Sequence, residues 1–192
     1  MPSTIVPIVE GYGEVPAVPI LLRRVATEIL GDPIEIRKPI RIPKHKLLKA
    51  GELERALDLA VQKGDGPCGI LIILDADEDC PKEIASQLLA RARVARADAT
   101  VQVVLAKMEY EAWFLGAVES LLAVGQELPD FELSNAETIR GAKQRLSEIL
   151  GIFYSETVDQ AAFTASIKLT SCRATCPSFD KLCRSLKILL DA

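Results

Sequence analysis

Runs of apolar residues alternate with segments whose apolar positions recur at helical spacing, and together they predict the order of elements. Thr4–Val9 (TIVPIV) reads as a first strand ending at Glu10. A glycine-rich turn follows, then a helix from about Val15 to Leu30 that Gly31-Asp32-Pro33 stops. Ile34–Ile42 alternates apolar and polar residues, but Pro39 and Pro43 demote it to an edge or bulged strand. Leu47–Lys63 is helical by period. Gly69–Leu74 is continuously apolar, the mark of a strand buried on both faces. It runs straight into Asp75-Ala76-Asp77-Glu78-Asp79. A helix from Pro81 to about Ala97, a buried strand Thr100–Ala106 and a helix Met108–Val124 complete the pattern.

From Pro129 onward no strand is predicted; Asn135–Leu150, Glu156–Ser166 and Ser178–Leu190 read as helices. The strand–helix alternation predicts an α/β fold: a parallel sheet of about four strands with helices on both faces. A domain over residues 1–128 would carry a helical extension, 129–192, packed on it. Apolar residues make up 49% of the 192, enough for a core. No apolar run is long enough for a membrane span. The opening MPSTIVPIVEG lacks a basic region, which argues against a signal peptide. With five cysteines, an odd number, free thiols in a reducing cytoplasm are the expectation. A net charge of −4 gives no global footprint for nucleic acid, so any such contact must be local.

The chemistry concentrates where strands end. Open α/β sheets place their ligand crevices outside the carboxyl ends of the strands. Glu10 ends the first strand and Asp75 the third, so neighbouring strands would bring Glu10, Asp75 and Asp77 to one crevice. In extended chain Asp75 and Asp77 would point the same way, roughly 6–7 Å apart. Carboxylates that close repel unless a cation or proton lies between them, and Mg²⁺ is the simplest cation. Gly11 and Gly13 would let backbone approach a phosphate, with the next helix aiming its N-terminus there. Glu109 and Glu111 lie at the same edge, either completing a second metal site or favouring a helix N-terminus.

Glu10 in IVEG, with Asp75 and Asp77 in LDADED, resembles the TOPRIM fold of topoisomerases, bacterial primases and OLD-family nucleases. Glu14, in VEGYGE, resembles the OLD-type version. With MEYEAWFLG and PSFDKLCRSLKIL added, the chain is similar to small bacterial stand-alone TOPRIM-like proteins catalogued as a domain of unknown function. That resemblance implies Glu10 as general acid/base, and Asp75 and Asp77 as ligands for Mg²⁺ or Mn²⁺. It implies Glu14 as a further ligand and Asp79 as the third acid of the loop. The activity implied is cleavage of nucleic acid, DNA ahead of RNA, alongside an ABC/OLD-type ATPase in bacterial defence or DNA repair, with a homodimer as a further expectation. A non-catalytic TOPRIM-like module binding a partner protein or nucleotide is the alternative.

Other readings of these residues compete. Gly11-x-Gly13 lacks the third glycine of a dinucleotide fingerprint, since Pro16 stands there. Asp75-x-Asp77 could be a phosphatase or receiver-type pair, or a solvated loop. The basic run Arg37–Lys49 reads as a phosphate-contacting edge or as a strand edge protected by lysines. His45 has no partner in sequence. Lys107 reads equally as a phosphate contact or an ordinary strand-end lysine. Arg91, Arg93 and Arg96 would form an exposed helix face. Cys172, Cys176 and Cys183 lack a fourth zinc ligand, and Trp113, Phe114 and Leu115 read as core.

Overall fold

A computed structural model describes residues 4–123 and 132–192. The apolar runs pair side by side as one parallel sheet: β1 (Thr4–Val9), β2 (Glu35–Ile36), β3 (Ile40–Arg41), β4 (Gly69–Asp75) and β5 (Thr100–Ala106). The order is β2-β1-β4-β5, and β3 pairs with the far end of β1. Thus β2 and β3 are two pieces of one edge strand interrupted around Pro39, as the prolines predict, which makes five strands where about four were expected. Adjacency of β1 and β4 decides the site. Val9 is level with Ile73, so Glu10 and Asp75 leave the sheet at the same edge.

Alternation along β4 sorts the core. Ile70, Ile72 and Leu74 face the helices α3 (Glu52–Gly64) and α4 (Pro81–Ala95), which follow α1 (Glu14–Arg24) and the short α2 (Lys44–Leu47). Leu71 and Ile73 face the opposite layer. It holds α1, α5 (Glu111–Leu115) and the C-terminal helices α6 (Ala142–Leu150), α7 (Glu156–Ser166), α8 (Leu169–Thr175) and α9 (Pro177–Asp191). Burial of side chains such as Leu57, Leu71 and Trp113 contributes about 1.5–3 kcal/mol apiece. The helical C-terminal part therefore packs on the sheet; its expected boundary, at 128/129, lies outside the described residues.

Several helices differ from their predicted bounds. The α1 helix continues to Leu30 only as a π-helical turn, Val25–Leu30. The Leu47–Lys63 helix is broken by Gly51 at φ +79. The helix expected over Met108–Val124 shrinks to α5 and a 3₁₀ turn at Val118–Ser120, its last residue lying outside the described chain. Gly116 ends α5 because α8 presses on it: a Cβ there would overlap Cys176 Sγ, and Thr175 Oγ1 donates to the Gly116 carbonyl at 2.8 Å. Gly141, at φ +68, splits the Asn135–Leu150 helix into a 3₁₀ segment and α6. The α8 helix was not anticipated. Nor is Arg91 on an exposed face: it is held by Glu54 at 2.8 Å and donates to the carbonyls of Leu48 and Lys49. Cys172, Cys176 and Cys183 are buried free thiols, and Trp113, Phe114 and Leu115 are core.

Helix α7 carries the least expected feature. Beside Phe163, which packs on Phe114 and Tyr154, it turns a polar stripe inward, Glu156, Gln160 and Thr164 at i, i+4, i+8, while Val158 points out at 73% exposure. That stripe lies on the loop after β1. A Cβ on Gly13 would overlap both Gln160 Oε1 and the Glu156 carbonyl, so glycine is required there by close packing. A Cβ on Gly11 would meet only the Glu14 carboxyl group, with Oε1 at 3.4 Å. Gly13→Ala is expected to cost about 1–3 kcal/mol, and Gly11→Ala less. Thermal melts of the two variants, with roughly 2–4 °C per kcal/mol at this size, check the ordering.

Candidate functional site at the carboxyl edge of the sheet

A cleft of about 210 Å³ opens at the carboxyl edge of β1 and β4. Of the residues singled out in the sequence, it is lined by Glu10, Gly11, Gly13, Glu14, Asp75, Asp77 and Glu111. Asp79 and Glu109 do not line it. Asp79 turns into a neighbouring recess, and Glu109 Oε2 is buried without a hydrogen-bond partner.

Each acid is held by a different device. Glu10 Oε1 accepts the Lys44 backbone N–H at 3.1 Å, whereas its Oε2 is buried and unpartnered. Glu14 Oε2 reaches back to the N–H groups of Glu10 (2.9 Å) and Gly11 (3.3 Å), tying the loop to the first turn of α1. Asp75 Oδ1 accepts the Tyr110 N–H at 2.8 Å. Glu111 Oε1 accepts the Tyr154 hydroxyl at 2.8 Å and Gln160 Nε2 at 3.4 Å, and its Oε2 is buried without a partner.

Crowding and desolvation favour the protonated acids. Burial pushes Glu14 up to about 7 despite its two backbone N–H donors, with Glu10 and Glu111 adding repulsion. Burial likewise raises Asp75, and Glu14, Glu111 and Glu10 raise it further against the pull of Lys143. Glu111 is raised by burial, opposed by Lys143 and the Tyr154 hydroxyl.

Asp75 and Asp77 do not form the expected extended pair. The strand stops at Asp75, and Asp77 has φ +52, a left-handed conformation that Asp tolerates. Its N–H donates to the Met108 carbonyl at 2.8 Å, and Met108 itself sits at φ +66, where an unbranched apolar residue costs of order 1–3 kcal/mol. The turn sends Asp77 toward Lys44. Lys44 Nζ lies 2.5 Å from Asp77 Oδ2 and 3.1 Å from Asp79 Oδ2, and donates to the carbonyls of Asp75 (2.9 Å) and Ala76 (3.2 Å). Lys44 is 8% exposed. Burial lowers its pKa, but the hydrogen bonds to Asp77 and Asp79 outweigh this and leave it raised. Two acids of the Asp-rich loop thus share one protein cation, and the buried unpaired carboxylate oxygens of the cleft come from Glu10 and Glu111.

The sequence reading missed Lys44, Lys143, Glu156 and Gln160. Lys143 faces Asp75 and Glu111 and is ion-paired with Glu156; Glu156 and Gln160 form the wall from α7. The polar i, i+4 stripe of α7 was the available signal. Lys44 lay inside a basic run that gave no reason to prefer one lysine. Gly13, expected to admit a phosphate, is instead covered by α7.

A family model described as a domain of unknown function, DUF4276, matches residues 9–187. This chain belongs to the DUF4276 family. No curated protein and no solved structure matches it. The matched span takes in the whole cleft of this DUF4276 protein, from Glu10 to Gln160, so sheet and C-terminal helices fall within one family unit.

Whether a divalent cation suits the cleft turns on its donors. Among the described residues no three His, Cys, Asp or Glu side chains form a ready-made metal cage. Mg²⁺ rarely has one: it keeps several waters and takes one or two carboxylates. Unpartnered oxygens on Glu10 and Glu111, beside a desolvated Asp75, supply hard donors and uncompensated charge for an ion of that kind. For a cation, therefore, the residues of the DUF4276 cleft fit.

Two outcomes follow. The folded chain holds the Glu14 proton up to about pH 7, while the unfolded chain releases it near 4.5. Stability is therefore greatest at the acid end of that window and falls as pH rises through about 7, by roughly 3 kcal/mol from Glu14 alone. Melting temperatures across the window are expected to fall without divalent cation, and Mn²⁺ to restore them mainly at the alkaline end. Lys44→Met strips the donor from two carbonyls and two carboxylates, and is expected to cost about 1–3 kcal/mol in a denaturant melt.

Proposed function

We propose that this protein is a TOPRIM-type, Mg²⁺- or Mn²⁺-dependent enzyme that hydrolyses phosphodiester bonds of nucleic acid. The observation that carries the reading is the set of Glu10, Glu14, Asp75 and Glu111 around one cleft at the carboxyl edge of a parallel sheet, with two buried carboxylate oxygens unpartnered. Asp75 and Glu111 would hold the cation, leaving Glu10 Oε2 free to act as a base. When bound it supplies Lewis-acid neutralisation of phosphate charge and lowers the pKa of water.

The chain's own residues supply the rest. Glu10, fixed at Oε1 by the Lys44 N–H, takes the proton of the attacking water at Oε2. The water oxygen bonds to phosphorus, the ester P–O bond breaks, and the leaving oxygen takes up a proton. Asp75 is oriented by the Tyr110 N–H. Lys143 brings positive charge toward the same centre. Lys44 clamps the Asp75–Asp79 loop so that Asp75 keeps its direction.

A non-catalytic binding module is the second reading. The pairing of Asp77 and Asp79 with Lys44 favours it, because two acids of the motif already share a protein cation without metal. Resemblance alone suggests an ABC/OLD-type ATPase partner in bacterial defence or DNA repair, in the cytoplasm. The structure adds that no helix among the described residues is long and apolar enough to cross a membrane.

Cleavage of supercoiled plasmid and of single-stranded DNA, followed during an Mn²⁺ titration, separates the two. Metal-dependent cleavage is expected, with Asp75→Asn reducing it at least 100-fold while the melting temperature holds or rises. A wild type that binds Mn²⁺ but cuts nothing, alone or with a neighbouring ATPase, would leave the binding module; activity unchanged in Asp75→Asn would place the chemistry elsewhere.

A further inference from the structure

Tyr12 stands between the two glycines of the loop after β1, both of which line the cleft, yet its own ring is 67% exposed. An aromatic ring of that size, left in solvent on a short loop, contributes nothing to the core. It is not loose. The Arg41 guanidinium lies 3.7 Å from its centroid, and Arg41 is anchored in turn by donating to the Glu10 carbonyl at 3.4 Å. One face of the ring is therefore backed by a cation that is tied to the backbone of a site residue.

The sheet order places this pair at one end of a charge pattern. Across the carboxyl edge, the strands run β3, β1, β4, β5. Arg41 is the last residue of β3, Glu10 and Tyr12 follow β1, Asp75 ends β4, and the exposed Lys107 follows β5. Cation and stacking ring come first, then the acids, then a second cation. Three strand spacings make this row about 14 Å long, the rise of roughly four stacked nucleotides at 3.4 Å each. The basic run that contains Arg41 also leaves His45, Lys46 and Lys49 exposed.

We infer that Tyr12, backed by Arg41, is a stacking platform for an unpaired base of a single-stranded nucleic acid whose backbone crosses the sheet edge toward Lys107. This rests on the phosphodiesterase reading for its choice of ligand. Base–aromatic stacking requires a base out of its duplex, and it tolerates any sequence because every base has a π-face. A duplex finds little here: the net charge is −4, and the acids at the centre of the row oppose a phosphate-lined groove unless a cation intervenes. The site therefore selects flexible, unpaired strands, with backbone charge met at the two ends and a base held at one. Tyr12 is a positioning residue: it places the strand over the acids and takes no part in bond making.

Fluorescence anisotropy of the full chain tests this, with short labelled DNA and RNA single strands of one sequence and the matching DNA duplex, in Mn²⁺ with Asp75→Asn present to prevent cleavage. The single strands are expected to bind more tightly than the duplex. Tyr12→Ala should weaken single-strand binding roughly 5- to 100-fold, Tyr12→Phe should keep it within about 2-fold, and neither should move the melting temperature. In the cleavage-competent background Tyr12→Ala should raise KM more than it lowers kcat. Equal binding by Tyr12→Ala and wild type, or preference for duplex, would overturn the inference while leaving metal-dependent cleavage intact. Absence of any nucleic-acid binding would overturn it too, and Mn²⁺ calorimetry on the wild-type chain would show whether the cation reading survives. Preference between the DNA and RNA strands identifies which of them the platform serves.

Discussion

Carboxylates brought together out of water repel one another, and this edge of the sheet holds Glu10, Glu14, Asp75 and Glu111 around one small cleft. Everything near it offsets that repulsion by some means. Backbone N–H groups take one oxygen each of Glu10, Glu14 and Asp75. Tyr154 and Gln160 take one of Glu111. Lys143 supplies charge, and the upward pKa shifts of Glu14 and Asp75, caused by burial and by their acidic neighbours, favour proton uptake there. What stays uncompensated is the pair of bare oxygens on Glu10 and Glu111. In a low-dielectric recess such atoms are costly unless a partner completes them.

The two lysines, Lys44 and Lys143, divide the work between them. Lys44 sits beneath the loop, buried, and serves geometry: it collects two carbonyls and two carboxylates that would otherwise splay. Lys143 stands at the mouth and serves charge. Removing water from the first strengthens its bonds, whereas the second keeps contact with solvent and stays available to an incoming anion.

The sheet was legible because buried parallel strands leave no polar residues in their interiors, so Gly69–Leu74 and Thr100–Ala106 announce themselves. Glu10 and Asp75 were legible because an acid at the end of such a strand has nowhere else to go than the crevice. Asp77 was misread for a local reason: the two-residue period holds only while the chain is extended, and a left-handed turn cancels it. Lys44 and the α7 wall were hidden for a long-range reason. Their partners lie more than thirty residues away in sequence, as with Lys44 and Asp77, and only the winding of the chain brings them together. The polar face of α7 also inverted the usual rule, burying Gln160 and Thr164 while Val158 faces solvent.

The contact of Gly13 with Glu156 and Gln160 joins the first loop of the chain to one of its later helices. During synthesis the sheet can pair once β5 has emerged, but the cleft then has only its floor. Lys143, Glu156 and Gln160 arrive afterwards, and Arg24 gains its carbonyl acceptors on Thr164 and Ile167 at the same stage. The cleft of a nascent chain therefore gains its second wall only when α7 docks. The order of emergence from the ribosome thus separates the pairing of the sheet from the walling of the cleft.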